Sequence, residues 1–154
     1  MRRRRWWQLI LILYVLFIYS NSMKPAAVSS LESGGVLQFL QLLFYKSGIN
    51  AGWITEHLIR KTAHAAEYTV LGMLLLKNAR LLSWETPVKR LALVTAGIFI
   101  PFVDETIQLF TEGRSGQISD VWLDMSGVCA GVLLGAALSC LLRRRAEKKK
   151  GRTS

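Results

Sequence analysis

Histidine, cysteine and acidic residues are scarce in this chain, and each scarcity removes a class of function. There are 2 histidines and 2 cysteines in 154 residues. That is too few for the dense His/Cys spacing of a strong metal motif. Cys129 and Cys140 both lie in the last apolar run. They are too far apart along one helix axis to pair with each other, and read as small apolar packing residues. Acids number 10 against 20 basic residues, a net charge of +10. The excess is confined to the ends: Arg2–Arg5, Arg143–Arg145, Lys148–Lys150 and Arg152 carry it, offset only by Glu147. Elsewhere the charges cancel. Nothing interleaves aromatic and basic residues into a nucleic-acid groove. Internal repeats, low-complexity segments and a second domain are also missing, so residues 1–154 read as one domain.

What the chain has is apolar length. Hydrophobic residues make up 51%, in several runs that approach or exceed a bilayer crossing. The expectation is an all-α integral membrane bundle of four transmembrane helices, with a core over 55–142 and basic tails at 1–5 and 143–154. Basic residues flanking apolar runs are the pattern of cytoplasmic ends, with added attraction to anionic lipid. Both termini are therefore expected in the cytoplasm and the chain in the cell membrane. Residues 1–22 read as a first membrane helix with a tryptophan pair at headgroup level; a secretory signal peptide is the competing reading. Pro25, Ser29 and Ser30 mark a turn. Val36–Tyr45 is apolar but too short to span, and carries Gln38 and Gln41 at helical spacing. It predicts a short interfacial helix in the first outer loop, or a loop across the bundle mouth. The second spanning helix is expected from near Thr55, its N-cap, to near Arg80, with Glu56 and Arg60 paired one turn apart. The third starts with Thr86 as cap and Pro87 in its first turn, runs to about Phe110 and kinks at Pro101. The fourth is capped by Ser119 and ends at the Arg143 cluster.

Polar residues interrupt these runs at chosen places. Asp104, Glu105 and Gln108 close one run; Asp120 and Asp124 open the next; Lys61, His64, Glu67 and Tyr68 sit near the start of an earlier one. Ionisable groups in membrane-length segments are costly and mark functional sites by default. With the expected orientation, all three sets lie on the order of 5 to 15 Å below the outer surface. Lys61, His64, Glu67 and Tyr68 share one helical stripe, as do Asp104 and Gln108. Asp120, Asp124, Gly127, Gly131 and Gly135 form another, whose small residues suit close helix packing in lipid. A polar cleft open to the outer surface is expected. Simpler roles compete: Asp120 suits a helix N-terminus, Lys61 can snorkel, and Arg114 can meet a lipid phosphate from the polar turn.

The segments KTAHAAEYTVLG at 61–72 and DETIQLFTEGRSGQISDVWLDMSGVCAG at 104–131 resemble the VanZ-like family of small membrane proteins. Lys61, His64, Glu67, Tyr68, Asp104, Glu105, Gln108, Arg114, Asp120 and Gly127 fit the pattern; Asp124 departs from it, the family more often having Asn there. The extra acid would raise a neighbour's pKa or strengthen cation binding. The resemblance covers the last three spanning helices, not the N-terminal third. It implies an envelope protein of a family linked to low-level teicoplanin resistance.

Two functions follow as expectations. In the first, the cleft binds a lipid headgroup, a lipid-linked cell-wall precursor or an amphiphilic glycopeptide-type compound, through Lys61, Tyr68, Gln108, Arg114, Asp120 and Asp124. In the second, it is an intramembrane hydrolase or transferase acting on an envelope lipid. His64 would be general base, oriented by Glu67 or Asp104; Asp104 and Glu105 would tune its pKa, and Arg114 would stabilise developing negative charge. No serine or cysteine nucleophile stands beside these groups in the motif, so water would attack. No cofactor is expected, though His64, Glu67, Asp104 and Asp120 are the donor types for a divalent metal. A transporter would place polar groups near the midplane and usually show a repeat; this sequence has neither.

Overall fold

The computed structural model describes residues 2–83 and 85–150, which form five helices and, among the described residues, no strand. They are α1 (Arg2–Ser22), α2 (Ala26–Lys46), α3 (Glu56–Leu81), α4 (Thr86–Leu109) and α5 (Ile118–Lys150). The chain is all-α. Thr55 caps α3 as its sequence predicts, its hydroxyl accepting the Leu58 N–H at 3.2 Å. The other cap assignments shift by a residue or so. Glu85 is the N-cap of α4, which puts Thr86 and Pro87 in its first turn. Helix α5 already begins at Ile118, and the Ser119 hydroxyl bonds the side chains of Gln117 and Asp120. Glu56 accepts a hydrogen bond from Ser33 at 3.0 Å, tying α2 to α3, where a pair with Arg60 was expected.

The larger correction concerns residues 23–46. The turn falls at Met23–Pro25, and Ser29 and Ser30 are already helical. Helix α2 is 21 residues long, not the short interfacial helix expected over 36–45, and leaves α1 at a bend of 102°. Pro25 explains the start: its fixed φ and missing N–H favour the residue before a first turn. Most large apolar side chains of α2 stay exposed, among them Leu31, Phe39, Leu42 and Tyr45.

Helices α3 and α5 form the most extensive pair, and α1 and α4 complete the bundle around α3. The α3–α5 contact depends on absent side chains. A Cβ on Gly131 would overlap the Thr69 carbonyl, and one on Gly72 the Val128 carbonyl. Backbones this close are the small-residue packing expected where lipid provides no hydrophobic drive between helices. The buried apolar core is small: Ile18, Tyr68, Leu71, Leu75 and Val128.

By length and apolarity, α4 and α5 can each cross a membrane, and the bent α1–α2 pair makes a third span if counted as one. Only 11% and 17% of the most apolar windows of α4 and α5 is buried within the protein, so most of that surface is left for lipid. The expectation of four spans is thus met in part. Helix α3 carries the polar residues, and for that reason no membrane-length stretch of it is as apolar as those of α4 and α5.

The helix directions give the bundle two unlike ends. The Asn78 side-chain amide donates to the Trp7 carbonyl (3.1 Å), Lys77 lies 5.2 Å over the Trp7 ring, and Arg80 bonds Ser139. The N-terminal arginines, the α3–α4 turn and the last turns of α5 therefore share one end. The ends of α1 and α4 and the starts of α3 and α5 share the other.

Candidate functional site

At this second end the polar residues meet. The turn between α4 and α5 clasps the turn between α1 and α2: the Ala26 N–H donates to Glu112 O (3.0 Å) and the Thr111 hydroxyl to Ser22 O (3.0 Å). Gly113, at φ 70°, makes the reversal in the left-handed region, where Cβ-bearing residues are disfavoured. Arg114 reaches from this turn into the clasp. Its guanidinium donates to Lys24 O (3.2 Å), Asn21 O (3.3 Å) and Gln108 Oε1 (3.4 Å). It thereby ties the turn after α4 to the last turn of α1 and to the turn that follows it. Arg114 is a clamp, engaged with its own chain.

Asp104 and Asp124 are the most enclosed charged groups, at 0% and 1% exposure. Asp104 Oδ2 takes one long hydrogen bond from Gln108 Nε2 (3.5 Å). The hydroxyls of Ser22 and Tyr68 lie beside Asp104; neither makes a hydrogen bond of ordinary length and angle, and the same holds for buried Asp104 Oδ1 and both oxygens of Asp124. His64 stands next to this pair, its Nδ1 3.9 Å from Asp124 Oδ1. Glu105 is settled by contrast: its carboxylate accepts from Gln108 Nε2 (3.0 Å) and the Gln117 N–H (3.0 Å), bracing α4 against the start of α5.

The expected residues therefore divide. His64, Tyr68, Asp104 and Asp124 come together at the centre, with Gln108 and Glu105 directly behind. Lys61 pairs with Asp120 (3.3 Å) at the mouth. Glu67 points away, toward α1, where its carboxylate accepts from the Asn21 amide (2.9 Å) and its carbonyl from the Tyr14 hydroxyl (3.0 Å). The carboxylate nearest His64 is thus Asp124.

Two small cavities open on either side of His64. One, of about 190 Å³, lies under α2 and is lined by Asn21, Lys24, Glu32, Arg60, Glu67 and Arg114 among others. The second, of about 170 Å³, is lined by Lys61, Glu105, Gln108, Ser115, Asp120 and Asp124, again with Arg60. His64 and Arg60 line both. Arg60 has no ion pair or side-chain hydrogen bond among the described residues. Sequence reasoning missed it by pairing it with Glu56, though it lies one helical turn before His64. It also missed Asn21 and Ser22, which matching depths along α1 and α3 would have found. Burial, and next the Arg60 guanidinium, pull the Arg114 pKa below the usual arginine range. Two neighbouring guanidiniums, one unpaired, attract an anion.

A family model described as VanZ/LLP1 matches residues 6–141, the greater part of the chain. The chain belongs to the VanZ/LLP1 family. The match takes in α1 and α2, so the N-terminal third belongs to the VanZ-like unit although it carries none of the motifs. No curated protein and no solved structure matches the chain.

Proposed function

We propose that this VanZ-like protein is a multi-pass protein of the cell membrane, in which α1, α3, α4 and α5 all cross the bilayer and α2 lies along the outer interface. Its polar end is a binding cleft in the outer leaflet for a phosphate-bearing headgroup, on a membrane lipid or a lipid-linked cell-wall precursor. Amphiphilic glycopeptides belong to the same reading, as compounds that approach that surface.

One observation carries it: Arg60 is a cation without a partner among the described residues, and it lines both cavities. Guanidinium recognises phosphate oxygens bidentately. Lys61 lies at the mouth with its ion pair partly exposed. The apolar side chains of α2 border one cavity, through Val36, and can follow acyl chains. The test is binding of phosphate-headgroup lipids to the full chain in nanodiscs, against neutral lipids. Arg60→Ala should weaken it about tenfold or more without lowering thermal stability. Equal binding by the variant and the wild type would rule the reading out.

A catalytic reading is favoured by a separate observation, the His64–Asp124 contact beside buried Asp104. There His64 would act as general base toward a water in the smaller cavity. Turnover of candidate envelope lipids by purified protein, lost in His64→Ala, would support it.

A further inference from the structure

We propose that His64, Asp104 and Asp124 form a binding site for a divalent transition-metal ion of the zinc or manganese class. One ligand atom from each residue lies within 4.8 Å of the others. An imidazole nitrogen with two carboxylate oxygens is a donor set for these ions.

The stronger argument is what the carboxylates lack. Three oxygens, Asp104 Oδ1 and both of Asp124, are buried without a hydrogen-bond partner. Two adjacent carboxylates removed from water need a compensating positive charge or must lose their own. The nearby lysine and arginines are occupied or elsewhere, leaving only the imidazole of His64 beside them: Lys61 is on Asp120 and Arg114 on backbone carbonyls. Glu67 and Glu105 are held by Asn21, Gln108 and the Gln117 N–H. Arg60 faces the cavities.

Geometry allows it. Bonds of about 2.1 Å in a tetrahedral arrangement put ligand atoms roughly 3.4 Å apart. The present spread, within 4.8 Å, needs a contraction of at most about 1.4 Å, within reach of side-chain rotation. The unpartnered hydroxyls of Ser22 and Tyr68 beside Asp104 are placed to donate to a metal-bound carboxylate, the kind of support that orients ligands. His64 and Asp124 also line the smaller cavity, so a remaining coordination position would face space for water or a phosphate oxygen. The set differs from the one composition suggests: Glu67 and Asp120 are turned to other partners, and Asp124 takes their place.

The inference stands apart from what the cleft binds, because metal uptake is read without added lipid. Full-length protein in detergent is stripped with chelator, supplied with Zn²⁺ alone or Mn²⁺ alone, desalted and submitted to elemental analysis. About one equivalent of one of these ions should be retained, with a rise in melting temperature. Asp124→Asn, nearly isosteric, should lower the affinity about tenfold or more, and His64→Ala at least as much, while Asp120→Asn keeps wild-type uptake. If His64→Ala does not fold, Asp124→Asn decides. Folded wild-type protein that retains neither ion would overturn the site, as would an Asp124→Asn variant that binds like wild type.

Discussion

Arg114 shows how far a residue's role depends on what surrounds it. In a polar turn between two apolar runs it reads as a phosphate contact, but its guanidinium closes the end of α1 through two carbonyls and Gln108. Arg114→Ala should therefore destabilise the protein by roughly 2–3 kcal/mol, the scale of hydrogen bonds from a charged donor. Arg114→Lys should recover only part, since a single ammonium cannot reproduce the fork. Thermal unfolding in one detergent checks both. A headgroup-binding defect at unchanged stability would return Arg114 to the role its sequence position suggests. Glu67 makes the same point. It shares a stripe with His64, yet its carboxylate is drawn to Asn21, a partner that no spacing within α3 reveals.

Among the elements, α3 is the one the others serve. It brings Arg60, Lys61, His64 and Tyr68 to the site and is too polar to meet lipid on all sides. The small-residue faces of α3 and α5 resolve the conflict by letting α5 cover α3 at backbone distance. Gly131→Ala should cost about 1–3 kcal/mol as overpacking, because the atom opposed is the Thr69 carbonyl and cannot rotate away. Gly35→Ala, in α2 with open space around it, should cost nothing or gain up to about 1 kcal/mol from helix propensity, and is the matched control. Equal stability changes in the two variants would remove the packing argument, since the gain in helix propensity from glycine to alanine is common to both. The spacing of Gly127, Gly131 and Gly135 made this face legible, because close packing in lipid follows a period along one helix. The 21-residue extent of α2 and its 102° departure from α1 were not legible. Residues 26–35 have neither apolar density nor a helical stripe, and their helix is set by Pro25 and by contacts to α3.

Across the whole molecule, charge is segregated by end. Arg2–Arg5 and Arg143–Lys148 lie at the end opposite the paired acids, and the apolar sides of α4 and α5 lie between. If the bundle crosses the membrane with its basic end inward, a cysteine at Ser115 should react with an impermeant thiol reagent on intact cells and one at Ser83 should not. The exposed Cys129 and Cys140 are first replaced by alanine. Reversed labelling would place the cleft on the cytoplasmic side and remove the outer-leaflet reading.

The sequence by itself determined the class, the family resemblance, the helix count within the core and the end at which the polar groups gather. Apolar run length, terminal charge and depth along a helix are one-dimensional quantities. Only the tertiary structure decided which polar groups face one another. Lys61 went to Asp120, Glu67 to Asn21, Arg114 to the end of α1, and Asp104 Oδ1 and both oxygens of Asp124 were left beside His64 without a hydrogen-bond partner. Those pairings depend on the rotation of each helix about its axis, which the close contact of α3 with α5 sets for that pair and which no pattern within α1 or α4 reveals.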